Sequence, residues 1–210
     1  MLVERNKILG WTNIRKAKQK TGNQRLKPRF YMERALGVRT PEVHQSILRM
    51  RKKTLTIHFQ EFDSPEALPE GDRRLLQAAK DTLDQAYAPY SGFQVAAAVR
   101  LENDVIVTGA NQENAAYPMC LCAERVALSA AQASYPEVPV HSLAVTVRYA
   151  TKPVTAPATP CGACRQVIAE TEGRFNRKMS VLLQGESGAI LKFNAGRDLL
   201  QLGFSRNTLL

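Results

Sequence analysis

Four cysteines lie in one part of this 210-residue chain, and their spacing restricts its possible folds more than any other feature. They occupy Cys120, Cys122, Cys161 and Cys164. No apolar stretch typical of a secretory signal follows the early positive charges, so we expect neither secretion nor a disulfide framework. A metal site or a reactive thiol is the better interpretation of the cluster.

The residues around the cysteines narrow this choice. Cys161–Cys164 is a C-x-x-C motif preceded by Pro160, and 38 residues separate Cys122 from Cys161. A C-x-x-C motif alone occurs in both zinc sites and redox sites. Zinc-dependent nucleobase deaminases combine His-x-Glu with a later Pro-Cys-x-x-Cys, and a three-cysteine variant exists. Here Cys122 stands where the first ligand belongs, and Glu124 follows it at the expected spacing.

The charge of such a centre favours one further residue. Catalytic zinc takes three protein ligands and keeps a fourth position for water, whereas a structural site is closed by four ligands. Three thiolates leave Zn²⁺ with a net negative formal charge, which makes it a weaker acid than zinc bound by three neutral imidazoles. Arg125 could offset this by donating to the ligand sulfurs. A surface arginine is the alternative interpretation.

From Met50 onward the pattern is that of an α/β domain. Alternating apolar residues predict strands at 54–59, 93–101, 105–109, 141–148, 181–185 and 189–193. Helical patterns occur at 72–87, from about 122 to 133, at 161–172 and at 196–202. Turns are expected at 102–104 and 186–188. Strands alternating with helices predict one sheet covered by helices.

Positive charge is concentrated before this domain. Residues 1–53 hold 15 of the 29 lysines and arginines and only three acidic residues, so the rest of the chain is slightly acidic. We expect residues 1–49 to form a basic, poorly ordered N-terminal extension, or to precede a true start at Met50, and residues 50–210 to form the catalytic domain. A nucleic-acid-binding arm and an organellar transit segment are alternatives. Thr40 could begin a short helix there.

Four sequence blocks together resemble homotetrameric cytidine deaminases. They lie at 88–95, 111–118, 122–125 and 160–166, in the order that this family shows. The resemblance covers about residues 54–205 and leaves the basic extension unmatched. It implies a three-layer α/β/α fold with a central mixed sheet, a homotetramer, and a nucleoside substrate in pyrimidine salvage.

The same resemblance implies a role for each matching residue. The zinc ligands would be Cys122, Cys161 and Cys164, with Glu124 carrying protons and Arg125 supporting the sulfurs. Residues that would contact the substrate are Asn111 and Glu113 at the ribose and Phe93 beside the pyrimidine. Phe204 resembles a late aromatic residue that reaches a neighbouring subunit. The chain departs from the family at Ala96, where glycine is frequent, and at Gln201, where proline is frequent.

The expected reaction is hydrolytic deamination of cytidine and deoxycytidine to uridine and deoxyuridine, with release of ammonia. Glu124 would take a proton from zinc-bound water, deliver it to N3, and then help to protonate the departing amino group. Losing Glu113 should impair nucleosides more than free cytosine. The preference between cytidine, deoxycytidine and a blasticidin-like substrate stays open. Asn111 could alternatively cap a turn.

Two competing hypotheses come from other classes of protein. Cys120 could close a four-thiolate structural zinc site, although we expect it to be a small buried residue. A polynucleotide-directed deaminase or nucleic-acid binder could use the basic arm, but the arm has few aromatic residues and the domain after it is slightly acidic. We therefore do not expect a nucleic-acid partner.

Histidines and membrane segments add no further site. None of His44, His58 and His141 has a partner at ligand spacing. Apolar stretches are short, since Val95–Val99 stops at Arg100, so we expect no membrane span. Together with the missing secretory signal, this predicts a cytoplasmic protein.

Overall fold

A six-stranded mixed sheet forms the centre of the computed structural model, which describes residues 50–209. The strand order across the sheet is β1-β6-β5-β4-β2-β3. Its strands are β1 (Gln60–Phe62), β2 (Phe93–Leu101), β3 (Ile106–Ala110), β4 (Val140–Tyr149), β5 (Ser180–Gln184) and β6 (Ile190–Phe193). Neighbouring strands are antiparallel except β4 and β5, which are parallel.

Helices cover both faces of this sheet and complete the predicted three layers. The α-helices are α1 (Glu70–Asp81), α2 (Ala123–Ser134) and α3 (Gly162–Phe175). Short 3₁₀ helices lie at Pro65–Ala67, Leu83–Gln85, Tyr117–Met119, Gly196–Leu199 and Arg206–Thr208. Helix α1 packs on one face, whereas α2 and α3 contribute to the core on the other. No helix among the described residues is long and apolar enough to cross a bilayer.

Alternation along the central strands builds the two cores. Ala98 of β2 and Ala144 of β4 face α1, while Ala97 and Val99 face the core beneath α2. Successive side chains of a strand point to opposite faces, so a strand buried on both faces must be apolar throughout. The fully buried middle of β2, Ala96 to Val99, meets this requirement with small residues, which leave room for a helix on each side.

Strand directions bring the starts of α2 and α3 to one end of the sheet. Strands β3 and β4 both pair antiparallel with β2, so they run in the same direction. Helix α2 follows β3 in the chain, and α3 follows β4. Both helices therefore begin beyond the carboxyl ends of their preceding strands, where open α/β sheets commonly bind ligands.

The first predicted strand is wrong in position. Residues 54–59 form no strand and are exposed, and β1 begins only at Gln60. β1 pairs with β6, in which Phe193 is the last residue. Beyond Phe193 the chain turns into the Gly196–Leu199 helix, so residues before Phe59 have no strand beside them. Apolar and polar residues do alternate over 54–59, but a strand also needs a neighbouring strand to accept and donate its backbone hydrogen bonds.

Two predicted helices are shorter than expected. Helix α1 ends at Asp81 instead of 87, because Thr82 donates through its backbone to Ala79 and through Oγ1 to the carbonyl of Ala78, which starts a tighter turn. The predicted helix at 196–202 is a 3₁₀ helix ending at Leu199. The remaining predicted elements are observed within three residues of their expected ends. The helix expected at Thr40 and the extension over 1–49 lie outside the described residues.

Candidate active site

Three cysteines meet where α2 and α3 begin. Cys122 is the N-cap residue of α2, and Cys161 is the N-cap residue of α3. Cys164 lies in the first turn of α3 and is fully buried. The Sγ atoms of Cys122 and Cys161 are 3.9 Å apart, and those of Cys161 and Cys164 are 3.4 Å apart. All three sulfurs lie within 4.8 Å of one another, a group able to hold a metal ion.

The spacing of these sulfurs fits zinc. A tetrahedral zinc ion with Zn–S bonds of about 2.3 Å places its sulfur ligands about 3.8 Å apart. The measured separations of 3.4 and 3.9 Å lie close to that value. Three ligands from the protein leave one tetrahedral position for another molecule, as in catalytic zinc sites.

Cys120 is not part of this group. Its Sγ accepts a hydrogen bond from the backbone N–H of Asn114 at 3.2 Å, and its carbonyl accepts one from Arg125. It is partly exposed, so the expectation of a small buried residue is wrong. The metal-binding group found among the described residues is thus a three-thiolate group, which does not support the closed four-thiolate alternative.

Local electrostatics favour an anion at Cys122. A hydrogen bond from the Cys164 thiol, helped by Arg125, lowers the pKa of Cys122 to about 5 against the opposing effect of burial. The same contact with Cys122, together with burial, raises the pKa of Cys164. Cys122 and Cys161 also sit at helix N-termini, where backbone N–H groups and the helix dipole stabilise negative charge.

Arg125 lies against the three-cysteine group. Its Nη2 is 3.9 Å from the Sγ of Cys122 and donates to the carbonyl of Cys120 at 2.9 Å. The contact with Cys122 raises the pKa of Arg125, so its charge is permanent. Its Nε is buried and has no hydrogen-bond partner among the described residues. A cation held there offsets the negative charge of the thiolates.

Glu124 is the second residue of α2, and only 4% of its surface is exposed. Burial raises the pKa of Glu124, and the nearby Cys122 thiolate raises it further, against hydrogen bonds from its own backbone and from the Cys164 thiol. A carboxyl group with a raised pKa can both accept and return a proton near neutral pH. The position suits proton transfer beside the cysteines.

A cavity of about 280 Å³ opens onto this centre. The predicted site residues that line it are Cys122, Cys161, Glu124, Phe93, Asn111 and Glu113. Val145 and Val147 of β4 form apolar walls, and Ala158 and Thr159 also line the cavity, together with Val95, Gln112, Cys120 and Leu121. Cys164 and Arg125 do not line the cavity. The sequence did not identify these wall residues, and for Ala158 and Thr159 the only signal was their position just before Pro160.

Asn111 is fixed by two hydrogen bonds to β2. Its Oδ1 accepts from the backbone N–H of Val95, and its Nδ2 donates to the carbonyl of Phe93, both at 2.9 Å. The side chain thus bridges to the neighbouring strand and is more than the cap of a turn. One N–H and one lone pair of the amide stay free for another group.

Glu113 is held by the turn at Tyr90 and Ser91. One carboxylate oxygen accepts from the backbone N–H groups of Tyr90 at 2.9 Å and Ser91 at 3.3 Å, and the other accepts from the Ser91 hydroxyl. The Ser91 hydroxyl, followed by the Tyr90 amide, lowers the pKa of Glu113. Ser91 was not predicted as a site residue, although it lies in the block 88–95 that carried the resemblance.

The aromatic residues named from the resemblance differ in position. Phe93 is partly buried at the cavity, with its ring centroid 5.6 Å from that of Tyr149. Phe204 is exposed and does not line the cavity; its carbonyl accepts a hydrogen bond from Gln166 at 2.9 Å. The structure of one chain therefore does not bring Phe204 to the site.

The remaining sequence candidates lie elsewhere. His58 is exposed, and Nδ1 of His141 lies 3.6 Å from a carboxylate oxygen of Glu102, so neither belongs to the metal group. His44 lies outside the described residues. Ala96 is fully buried in β2, and Gln201 is exposed with its Nε2 donating to the carbonyl of Asp198.

Comparison with known proteins agrees with this geometry. Residues 69–178 match the model of the cytidine and deoxycytidylate deaminase zinc-binding region. The cytidine deaminase of Sporosarcina psychrophila is 39% identical over 136 residues, which are 65% of this chain and 93% of that protein. The cytidine deaminase of Halalkalibacterium halodurans is 45% identical over 100 residues, which are 47% of this chain and 71% of that protein.

A solved structure shows the same fold. The crystal structure of cytidine deaminase from Burkholderia pseudomallei superimposes with a TM-score of 0.55 at 37% sequence identity, covering 62% of this chain and 97% of that chain. The region that matches the family model, residues 69–178, contains the three clustered cysteines and Glu124. The family match, these relatives and the three-cysteine group together show that the chain belongs to the cytidine deaminase family and carries its zinc-binding region.

Proposed function

We propose that this protein catalyses the hydrolytic deamination of cytidine and deoxycytidine to uridine and deoxyuridine, with release of ammonia. One observation carries the proposal: a single cavity is lined by two of the three clustered cysteines, by the buried carboxyl of Glu124, and by the polar side chains of Asn111 and Glu113. The relatives named cytidine deaminase, with up to 45% identity, support the same reaction.

Cys122, Cys161 and Cys164 would hold the zinc ion, and Arg125 would balance their charge. Zinc, when bound, supplies Lewis-acid chemistry that lets water act as a nucleophile near neutral pH. The buried position of Glu124 excludes bulk water from its carboxyl group, so protons that it takes up are passed to the substrate.

Glu124 serves the reaction as both base and acid. It accepts a proton from the attacking water and gives it to N3 of the pyrimidine. It then takes the proton of the new hydroxyl group on C4 and gives it to the amino group, so that the C4–N bond breaks, a carbonyl forms at C4, and the amino group leaves as ammonia. One carboxyl suffices because each transfer restores its earlier state, and the raised pKa of Glu124 makes both directions accessible.

The hydrogen-bonding capacity left at Asn111 and Glu113 fits one sugar hydroxyl. Asn111 has one free N–H, and the Glu113 oxygen that accepts from Ser91 has one lone pair left. A sugar hydroxyl can donate to this Glu113 oxygen and accept from the N–H of Asn111. Recognition of one hydroxyl leaves the other sugar positions unread, which agrees with use of both cytidine and deoxycytidine. Phe93 would lie beside the pyrimidine.

Replacing Glu124 tests the reaction. We expect Glu124→Gln to bind zinc normally but to lose turnover of cytidine by roughly 10² to 10⁴-fold, because the amide cannot carry the proton. Ammonia release and the ultraviolet change from cytidine to uridine measure turnover, and metal analysis measures zinc. Near-normal turnover of the variant would reject the assignment.

A substrate panel separates the remaining choices. Cytidine, deoxycytidine, free cytosine and blasticidin should be compared with wild type and Glu113→Gln. The variant should lose activity toward the two nucleosides far more than toward cytosine. Preference of the wild type for blasticidin, or equal losses on all substrates, would contradict the proposed nucleoside site.

The assembly and the setting belong to the same proposal. We infer a homotetramer, supported by exposed apolar side chains at Tyr87, Tyr90, Tyr117, Met119 and Leu121, the last of which lines the cavity. We also infer that residues 1–49 are an extension of the catalytic domain 50–210, since the family match falls within the latter. A role in cytoplasmic pyrimidine salvage rests on the family resemblance.

A further inference from the structure

Arg165 has no role in the proposed reaction, but its side chain joins two separate segments of the chain. Arg165 directly follows Cys164 in the first turn of α3 and is partly buried. Its Nε donates to the carbonyl of Pro160 at 2.9 Å, and its Nη1 donates to the carbonyl of Leu199 at 3.2 Å. One guanidinium thus connects the backbone just before Cys161 to the Gly196–Leu199 helix near the end of the chain.

The Gly196–Leu199 helix is itself anchored to the domain. The carboxylate of Glu172, fully buried in α3, accepts from the backbone N–H of Arg197 at 2.7 Å and from its Nε at 3.1 Å. A Cβ atom at Gly196 would lie 2.4 Å from Cγ2 of Ile168, so this helix packs directly on α3. The carbonyl of Leu199 is therefore a fixed acceptor for Arg165.

The segment before Cys161 needs such support. Residues 151–160 form neither helix nor strand, and the regular hydrogen bonds of α3 reach back only to Cys161, whose carbonyl accepts from the backbone N–H of Arg165 at 2.9 Å. The Sγ of Cys161 accepts a hydrogen bond from the backbone N–H of Cys164 at 3.5 Å, which fixes the sulfur but not the peptide group before it. The bond from Arg165 to Pro160 restrains the peptide group that immediately precedes this ligand.

We propose that Arg165 is a positioning residue for the metal centre, holding Cys161 in ligand geometry by tying the Pro160 carbonyl to the anchored Gly196–Leu199 helix. The planar guanidinium reaches two carbonyls at once, which a lysine ammonium on a flexible stem does not do equally well. The inference rests on the proposed zinc site but on no particular substrate. Metal measurements therefore separate its failure from failure of the deamination reaction.

Arg165→Leu in the full chain tests the proposal. The variant keeps an apolar stem but loses both donors. We expect zinc affinity, measured by competition with a chromophoric chelator, to fall roughly tenfold, as for residues that support metal ligands indirectly. The visible absorption of the cobalt-substituted protein should change in position or intensity, because it reports the geometry of the thiolate ligands. Arg165→Lys should show a smaller loss.

Arg174→Leu is the matched control. Arg174 lies on the same helix and also donates to a proline carbonyl, that of Pro136 at 2.8 Å, but more than two turns further from the cysteines. It should bind zinc like the wild type. The proposal is overturned if folded Arg165→Leu keeps zinc affinity within twofold and an unchanged cobalt spectrum, or if Arg174→Leu shows the same loss. Should Arg165→Leu not fold, the same criteria apply to Arg165→Lys.

A double-mutant cycle tests the part played by the Gly196–Leu199 helix. Arg197→Leu removes the side-chain bond to Glu172 and should lower zinc affinity in the wild-type background. It should cause little further loss in the Arg165→Leu background, because the connection is already broken. Additive losses, or no effect of Arg197→Leu in either background, would show that this helix does not act through Arg165.

Discussion

At the scale of single residues, the Glu113 carboxylate depends on a turn more than 20 positions earlier in the chain. The Ser91 hydroxyl and two backbone N–H groups hold it in place and lower its pKa. Glu113 therefore stays ionised at a lower pH than a free glutamate. Any stability that this ionised contact gives is present above the ordinary pKa of glutamate and is lost as the pH falls through the lowered value.

Replacing Ser91 should move the pH dependence of the reaction. In Ser91→Ala the pKa of Glu113 rises toward its ordinary value, so the acidic fall of kcat/KM for cytidine should occur at higher pH. We also expect KM for cytidine to rise roughly tenfold, because the carboxylate loses a hydrogen bond that orients it. The measurement is kcat/KM against pH for cytidine.

Ser64 provides the matched control. Its side chain likewise bonds a carboxylate and lowers the pKa of Glu66, at the Pro65–Ala67 helix. Ser64→Ala should leave the pH profile unchanged. An acidic limb that stays in place in Ser91→Ala would show that Glu113 does not need this hydroxyl.

At the scale of secondary-structure elements, the position of α2 relative to β3 sets the position of Cys122, a proposed zinc ligand. A Cβ atom at Gly109 of β3 would lie 2.5 Å from the backbone nitrogen of Ala127 and 2.9 Å from Cγ1 of Val126. The backbone of a packed helix cannot move aside for a new Cβ atom as the end of a flexible side chain can. The absence of a side chain at Gly109 thus allows α2 to lie directly on the sheet.

Gly109→Ala should displace α2. We expect the free energy of unfolding to fall by about 1–3 kcal/mol, as for overpacking of a core, and kcat for cytidine to fall because Cys122 and Glu124 move with the helix. Urea denaturation and steady-state kinetics measure the two effects. Gly173→Ala on α3 is the control, since a Cβ there meets nothing within 4 Å and alanine favours a helix. Equal stability of the two variants would contradict the steric argument.

Some elements could be predicted from the sequence and others could not. Strand β2 has the predicted bounds because its central residues, 95–99, are apolar on both faces. The strand expected at 54–59 failed because its partner β6 ends at Phe193. Apolar patterns report what a segment can bury, but they do not report how long its neighbour is.

At the scale of the whole molecule, several apolar side chains near the cavity are exposed, as expected of a surface that another subunit covers. Tyr117 and Met119 are 71% and 62% exposed, and the ring of Tyr117 lies edge-on to that of Tyr90 at 6.2 Å between centroids. Leu121 continues this surface to the cavity. A surface of this kind beside a site is typical of an interface between subunits.

The assembled protein should have four times the mass of the 23.3 kDa chain. Light scattering after size exclusion measures this mass. Tyr117→Glu should give smaller species with reduced activity, since a buried charge at an interface is unfavourable. Lys152→Glu, an exposed position in the 151–160 segment, is the control and should keep the mass. A fully active wild-type monomer would contradict the tetramer.

The chemistry of the metal group follows from the sequence by itself. Cys122, Cys161 and Cys164 could be named as candidate ligands, and Glu124 as the candidate proton carrier, because the short Cys-x-Glu and Pro-Cys-x-x-Cys motifs resemble those of zinc-dependent deaminases. Distant contacts could not be named in this way. The Ser91–Glu113 bond and the Arg165–Leu199 bond join residues that no local pattern relates.

Only the tertiary structure decided that Cys122 and Cys161, separated by 38 residues, would meet. They meet because β3 and β4 flank β2 and run in the same direction, so that α2 and α3 begin at the same end of the sheet. Local spacing sets which atoms can bind a metal ion, whereas strand order and packing set which of them come within bonding distance.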